Sequence, residues 1–314
     1  MTRRNLILIH RGPEYEADFD DISRRVFALD EDITIYSTAA GASVQLPKEA
    51  WARPTLTVAL VQNFNLQIKR GAVLKNSPIS KLAQAKIFHD AGIATPPVQS
   101  FKVGMQLDPI MFGQFVMIKP MSLELTSKGD GIQVFRRNRL EQMRPIDFPP
   151  DHLIHRDREG YLVQKFINSG RYPSTYRVVT FLGSVLYAMK IEALEPSPDL
   201  TEHDSVIEKG NFTQKGRREY FVGMYPDQIA LGKRIAAAFS NIPLLAIDLV
   251  CEEATQNLYA LEVNAGGNTW HFSSEMWAKR RVQFPELARH MKEQFSAFDT
   301  AAHSLVEKAH QLAS

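Results

Sequence analysis

Two neighbouring segments near the carboxyl end carry acidic and amide side chains at a spacing that could hold a metal ion. The apolar segment 244–250 contains Asp248, and the segment 258–264 contains Glu262 and Asn264. Because strand side chains alternate between faces, two adjacent strands can aim these three groups at one point. Oxygen ligands with positions left open for phosphate suit Mg²⁺ rather than Zn²⁺. The residues fit equally well a hairpin whose acids meet arginines or solvent, so both interpretations stand.

In the second segment the alternation predicts that residues 259, 261 and 263 share the face opposite Glu262 and Asn264. Carboxylates in such apolar surroundings are costly unless they are paired or metal-bound.

A lysine at the end of an apolar strand is the second group that could do chemistry. Lys119 follows the strand at 115–118 and precedes a proline, so its amine is expected at a strand end that faces a cleft. The loop 127–131 reads SKGDG, and glycine N–H groups can turn toward phosphate oxygens. The loop does not match the G-x-x-x-x-G-K-[ST] pattern. A surface lysine followed by an ordinary turn is the alternative.

The elements that position these residues can be read from the apolar periodicity. Up to about residue 76, short apolar strands alternate with helical spacing, which is typical of a parallel sheet with crossover helices. No G-x-G-x-x-G follows the first strand, so a dinucleotide-binding fold is not supported. The main expected elements are strands at 5–10, 32–36, 55–61, 115–118, 161–167, 176–181, 184–191, 244–250 and 258–264, and helices at 18–29, 80–91 and 227–240.

The composition is that of a globular protein of 314 residues, 44% hydrophobic and 23% charged, which is long enough for two or three lobes. A formal net charge of +2 does not indicate a nucleic-acid or acidic-lipid partner. One cysteine, Cys251, cannot form an internal disulfide. The apolar run at 6–9 is too short for a signal peptide or a membrane helix. We therefore expect a cytoplasmic protein.

Six segments, taken in chain order, resemble motifs of the ATP-grasp superfamily. The resemblance extends from about residue 76 to residue 270. It is closest to the carboxylate–amine ligase module of ribosomal-protein-glutamate ligases, glutathione synthetases and D-alanine–D-alanine ligases. The segments are SKL with AGIATP (80–82, 91–96), VMIKP (116–120), SKGDGI (127–132), LVQKFI (162–167), YRVV (176–179) with Gly183, and AIDL (246–249) with LEVN (261–264).

The resemblance implies an α/β chain whose ATP-grasp module is α+β. An N-terminal α/β domain with a parallel sheet (1–76) would precede a two-lobed ATP-grasp fold. The small lobe with a phosphate lid would span 77–160, and the large lobe with the metal site and the C-terminal helices would span 161–314.

The resemblance also assigns roles to residues. Lys81 and Lys119 would hold the ATP phosphates under the lid, and backbone groups of Lys165 and Ile167 would bind the adenine edge. The implied nucleotide-binding residues are Lys81, Lys119, Ser127, Gly129, Gly131, Gln164, Lys165, Phe166 and Ile167. The implied Mg²⁺ ligands are Asp248, Glu262 and Asn264. Arg177 would sit beside the transferred phosphoryl group, and Lys190 would assist it.

Two positions depart from the family pattern. Thr175 replaces an acid two residues before the arginine, and Lys165 replaces the acid of the adenine linker.

The implied activity is an ATP- and Mg²⁺-dependent carboxylate–amine ligase that works through an acyl phosphate and releases ADP and phosphate. An ATP-grasp kinase and a non-catalytic nucleotide-binding protein are the alternatives. The partners would be a small-molecule or peptide carboxylate and an amine, whose identities the sequence leaves open. It also leaves open the oligomeric state, although dimers are common among similar proteins.

Overall fold

The computed structural model describes residues 3–42, 46–121, 132–148, 150–155, 160–197, 207–208 and 217–314, and these residues form three β-sheets. The strands are β1 (Arg4–His10), β2 (Ile33–Ala39), β3 (Thr55–Ala59), β4 (Ala72–Lys75), β5 (Val98–Phe101), β6 (Phe115–Pro120), β7 (Gln133–Arg136), β8 (Tyr161–Lys165), β9 (Ser174–Phe181), β10 (Ser184–Ala193), β11 (Ile207–Glu208), β12 (Arg218–Val222), β13 (Leu244–Cys251) and β14 (Leu258–Ala265). The helices are α1 (Glu16–Leu29), α2 (Lys81–Asp90), α3 (Pro109–Phe112), α4 (Arg137–Gln142), α5 (Pro226–Ala238), α6 (Glu275–Gln283), α7 (Pro285–Glu293) and α8 (Ala297–Leu312).

The first sheet is parallel, in the order β2-β1-β3-β4, as the alternating pattern predicts. Its central strand β1 is buried from residue 5 to residue 10, because a parallel sheet is covered on both faces. The side chains of Phe19, Ile22 and Val26 on α1 pack into the core beneath it. The mixed α/β class expected from the sequence is therefore confirmed.

The second and third sheets are antiparallel, in the orders β11-β7-β6-β8-β5 and β12-β10-β9-β13-β14. Strand β8 pairs with β5 and β6, so it belongs to the second sheet. The chain therefore changes sheets after Lys165, later than the boundary expected at residue 160. None of the described helices is both long and apolar enough to cross a membrane.

The third sheet separates two apolar cores because side chains alternate between its faces. On β9, Val178 belongs to the apolar core that contains residues of α5, whereas Val179 belongs to the core that contains residues of α8 and of β1. The face that carries Val179 is thus turned toward the N-terminal domain. This face also carries the polar residues of the site described below.

Trp270 joins the N-terminal domain to the rest of the chain. The indole is fully buried, and its Nε1–H donates to Oδ2 of Asp18 on α1 over 2.9 Å. The ammonium of Lys292 on α7 lies 3.3 Å from Oδ1 of the same carboxylate. The carboxylate of Asp18 therefore accepts a hydrogen bond from a buried indole and forms an ion pair with a lysine, and the two partners come from other parts of the chain.

Replacing Asp18 by alanine is expected to lower the free energy of unfolding by about 1–3 kcal/mol, because it leaves a buried N–H without a partner. Urea unfolding followed by circular dichroism measures this loss. The exposed Asp20 on the same helix is the control, and its alanine variant should unfold like the wild type. Equal stability of the two variants would show that the indole contact contributes nothing.

Candidate functional site

The structure brings together the three residues predicted to bind metal. Asp248 on β13 lies opposite Glu262 on β14, and Ala246 lies opposite Asn264, so all three polar groups share one face. The Asn264 Nδ2–H group donates to Oδ2 of Asp248 over 3.1 Å and to Oε1 of Glu262 over 3.3 Å. Two carboxylates and one amide therefore meet at one point of the sheet.

A β-bulge corrects the alternation predicted for β14. The register passes from Asp248–Glu262 to Leu249–Ala260, which leaves Leu261 as the extra residue. Ala260 and Val263 consequently pack into the same core, whereas Leu261 is only half-buried. The prediction that residues 259, 261 and 263 share one face is wrong, because simple alternation does not hold across a bulge.

Asp248 also forms a two-pronged ion pair with Arg177 on the neighbouring strand β9. The Nε and Nη2 groups donate to Oδ1 and Oδ2 over 2.7 and 2.8 Å, and both side chains are nearly buried. Burial opposes the charge of Arg177, but the carboxylate outweighs it and raises the pKa of the guanidinium. Burial raises the pKa of Asp248 against the opposing charge of Arg177. The alternative in which an acid meets an arginine is thus realised for Asp248.

The two lysines predicted to hold phosphates lie near Glu262. Lys119 is 7% exposed, and its Nζ donates to Oε1 of Gln164 over 2.7 Å. Burial lowers the pKa of Lys119, and the charge of Glu262 opposes this. Lys81 donates to the carbonyl oxygen of Pro120 over 3.3 Å. Burial, reinforced by the charge of Lys119 and opposed by that of Glu262, lowers the pKa of Lys81 to about 8.

The predicted adenine linker, residues 162–167, covers most of β8 and the two residues after it. Its backbone N–H groups at Lys165 and Phe166 donate to the carbonyls of Pro97 and Phe115. The next residue, Ile167, is 7% exposed, and its N–H has no hydrogen-bond partner among the described residues. A buried, unsatisfied donor is costly, so this N–H is available to a ligand.

Two cavities lie along the same strand end. The larger, of about 680 Å³, is lined by Lys165 and Phe166, together with Phe115, Glu252 and others. The smaller, of about 10 Å³, has among its lining residues Lys81, Lys119, Gln164 and Leu261. Lys165 of β8 thus lines the larger cavity, and Gln164, the residue before it, lines the smaller one.

Lys165 does not face the same side of β8 as Gln164, because neighbouring strand residues alternate. Its Nζ lies 3.7 Å from Oε1 of Glu252 at the end of β13. This ion pair joins the second sheet to the third at the rim of the larger cavity. Lys165 is therefore held by an acid from the other sheet.

Lys190 is not brought to Arg177. Across β9 and β10, Arg177 pairs with Met189, whereas Lys190 pairs with Tyr176. The two cations therefore project from opposite faces of the third sheet, and Lys190 forms an ion pair with Glu192 on its own strand. The prediction that Lys190 assists Arg177 is therefore wrong, because the strand register places Lys190 one residue away from the position opposite Arg177.

Two further buried residues, Tyr187 and His271, lie beside Arg177, and of these Tyr187 was not predicted. Tyr187 lies opposite Val179, on the face that carries Arg177, and its hydroxyl is hydrogen-bonded to Nδ1 of His271. Burial lowers the pKa of His271, and the charge of Arg177 lowers it further. The ring stacks on Trp277 at 4.2 Å between centroids. Strand alternation around Arg177 could have identified Tyr187.

The donor set fits a hard cation. Asp248, Glu262 and Asn264 offer only oxygen atoms to a metal, and among the described residues no cluster of three His, Cys, Asp or Glu side chains offers an alternative. Oxygen ligands of this kind suit Mg²⁺. The lid residues Ser127, Gly129 and Gly131 lie outside the described residues.

Comparison with known proteins places the fold. No family model matches the sequence, and no curated protein matches it. Among solved structures, D-cycloserine synthetase DcsG is similar over 97% of this chain and 99% of its own, with a TM-score of 0.51 and 14% identity. The ATP-grasp ligase PsnB, complexed with a minimal precursor, Mg and ADP, is similar over 97% and 98%, with a TM-score of 0.51 and 12% identity.

These similarities extend over nearly the whole of each chain. This chain therefore has the ATP-grasp fold.

Proposed function

We propose that this protein is an ATP- and Mg²⁺-dependent ligase that joins a carboxylate to an amine. One observation carries the proposal: Lys81 and Lys119 line one cavity together with Leu261 of β14, and the next residue of that strand, Glu262, belongs to the oxygen-donor trio. Positive groups for phosphates beside oxygen ligands for a cation are what phosphoryl transfer requires. The fold shared with PsnB and DcsG supports the same activity.

The two cavities suggest how a nucleotide would lie. The larger cavity would receive the adenosine, whose base would meet the free N–H of Ile167 and the apolar side chain of Phe166. From this end, four residues along β6 lead from Phe115 to Lys119, and four residues along the chain lead from Glu252, which follows β13, back to Asp248. Each path spans roughly 13 Å. We therefore propose that the second and third sheets are the two lobes that close on ATP.

Asp248, Glu262 and Asn264 would hold Mg²⁺, which neutralises charge on the phosphates when bound. Asp248 is already oriented by its two hydrogen bonds from Arg177, so its carboxylate has little freedom to turn. The guanidinium of Arg177 would contribute positive charge beside the phosphoryl group during transfer.

The proposed reaction proceeds by two displacements. A substrate carboxylate oxygen attacks the γ-phosphorus, the bond to the ADP oxygen breaks, and an acyl phosphate forms. The amine then attacks the acyl carbon, phosphate leaves with the bonding electrons, and the amine loses a proton. No protein nucleophile is needed, because the lysines and Arg177 act by position and charge.

The substrates of the similar proteins indicate a class for the acceptor. PsnB binds a minimal precursor in its complex, and DcsG is a D-cycloserine synthetase. For this chain we propose a small-molecule or peptide carboxylate. The stretch that follows β14 approaches the N-terminal domain through Trp270, so the acceptor would enter between that domain and the third sheet.

Thermal unfolding with and without ATP, each with and without Mg²⁺, tests the nucleotide and metal sites. A ligand at about 100 times its dissociation constant adds about 2.7 kcal/mol of stability, which is an easily measured rise in Tm. Glu262→Gln should remove the dependence on Mg²⁺. No shift at millimolar ATP would refute the proposal. In turnover assays, a condensed product with free phosphate supports a ligase, and a stable phosphorylated acceptor identifies a kinase.

The lowered pKa of Lys81 predicts a pH dependence of ATP binding. With a pKa of about 8, the amine is increasingly neutral above pH 8, whereas bound phosphates favour the ammonium. ATP affinity is therefore expected to fall as the pH rises through 8, and binding there should take up a proton. Calorimetry in buffers of different ionisation enthalpy measures this uptake.

Lys81→Arg is the matched control for the pH dependence, because arginine keeps its charge throughout this range. The variant should take up fewer protons than the wild type on binding ATP between pH 7 and about 9, because Lys119, whose pKa is also lowered by burial, is unchanged in it. Proton uptake that persists unchanged in this variant would assign the dependence to another group.

A further inference from the structure

Helix α2, which carries Lys81, is hydrogen-bonded to the predicted metal strand β14 by the side chain of Gln84. The Gln84 Nε2 group donates to the carbonyl oxygen of Val263 over 3.0 Å, and the Val263 N–H donates to Oε1 of Gln84 over 2.8 Å. A second hydrogen on Nε2 is donated to Ile79 O over 2.9 Å. The side chain is 6% exposed. One primary amide thus satisfies both backbone groups of a single strand residue.

The edge position of β14 explains why its backbone needs such a partner. An edge strand presents unpaired N–H and C=O groups, and the bulge at Leu261 leaves those of Ala260 and Val263 facing away from β13. Ala260 is paired by the carbonyl of Ala94 and the hydroxyl of Thr95. At Val263 no neighbouring strand is present among the described residues, and Gln84 takes that place.

The contact links two groups of the proposed site. Lys81 and Gln84 are three residues apart in one helix, and therefore lie on the same side of it. Val263 stands between Glu262 and Asn264 in sequence. The amide of Gln84 therefore sets the spacing between the Lys81 ammonium and the metal-ligand pair.

We infer that Gln84 is a positioning residue that couples nucleotide binding to metal binding. This inference rests on the proposed function. In this proposal Lys81 binds the phosphates of ATP whether or not Mg²⁺ is bound, whereas Glu262 and Asn264 bind only the Mg²⁺. Loss of the Gln84 contacts lets the helix and the strand shift apart, and a nucleotide can then no longer engage both groups in their best positions.

The quantity to measure is the dissociation constant for ATP in EDTA divided by the dissociation constant for ATP in excess Mg²⁺. Gln84→Met keeps the volume of the side chain and removes its hydrogen bonds. We expect this ratio to fall by about tenfold in the variant, a size typical of coupling between two sites. Where Gln84→Met does not fold, Gln84→Glu, which can still accept from the Val263 N–H, replaces it and should show the same direction.

Gln294 provides a matched control. It accepts from Ala188 N–H over 2.8 Å and donates to Gly223 O over 2.6 Å, so it makes the same kind of contact away from the cleft. Gln294→Met should lower Tm and leave the ratio unchanged. A ratio that is unchanged in the Gln84 variant, or equally reduced in the Gln294 variant, overturns the inference. A wild-type protein that does not bind ATP instead refutes the proposed function.

Discussion

Lys119→Met is expected to weaken ATP binding by about 10- to 150-fold, which corresponds to about 1.5–3 kcal/mol for a hydrogen bond to a charged group. Lys119 stands near the end of β6 with its side chain almost completely buried, so a hydrogen bond from its ammonium to a phosphate is shielded from water. The methionine has a similar length and restores neither the charge nor the donor. Calorimetric titration with ATP in the presence of Mg²⁺ measures the loss.

Stability should change little in this variant. Removing a buried ammonium relieves a desolvation penalty, and it leaves Oε1 of Gln164 without its donor, so the two effects oppose each other. Lys86→Met is the control, because Lys86 lies on α2 with its side chain 75% exposed and paired only with Asp90. Equal ATP affinity in the two variants would remove Lys119 from the site.

Asp248→Ala is expected to lower the free energy of unfolding by about 3–5 kcal/mol, because it leaves the buried guanidinium of Arg177 without a counter-charge. Replacing both partners, as Arg177→Met with Asp248→Leu, should recover most of this loss, since apolar residues of similar volume tolerate such a position. Urea unfolding of the wild type, of Asp248→Ala and of the double variant measures both changes in the free energy of unfolding.

The exposed ion pair between Arg289 and Glu286 is the control for the buried pair, because solvent surrounds both of its charges. Glu286→Ala should unfold at the same urea concentration as the wild type. A loss in Asp248→Ala no larger than that in Glu286→Ala would show that the Arg177 ion pair is not energetically isolated from water. Mg²⁺ should not raise the Tm of the double variant Arg177→Met with Asp248→Leu, because this variant lacks Asp248, one of the predicted ligands.

Periodicity in the sequence predicts most of the long elements. The continuous apolar run of β1 and the capped helix that follows Ser80 are strong local signals, and both are found within a few residues of their expected ends. Strands β4, β5, β7, β11 and β12 were not predicted. They have two to five residues each and mix polar with apolar residues, so they depend on pairing with a neighbouring strand, which a local pattern does not reveal.

The residues of the site also divide into those that local patterns predict and those that depend on contacts between distant segments. Residue type and strand order suffice to bring Asp248, Glu262 and Asn264 together, because strand alternation is a local rule. Lys190 and Leu261 required knowledge of register and of the bulge, which depend on contacts between strands. Gln84 carried no local signal at all, since its partner is the backbone of a strand 179 residues away.

The lysine pair has a consequence for the affinity of a nucleotide. Gln164 Oε1 and the carbonyl oxygen of Pro120 each accept one hydrogen from an ammonium group that has three, so hydrogens remain for phosphate oxygens. The gap that the two lysines line has a volume of only about 10 Å³, which is room for roughly one water molecule. A triphosphate therefore requires the surrounding side chains to move apart, and its apparent affinity is the intrinsic affinity reduced to the fraction of molecules in which they have done so.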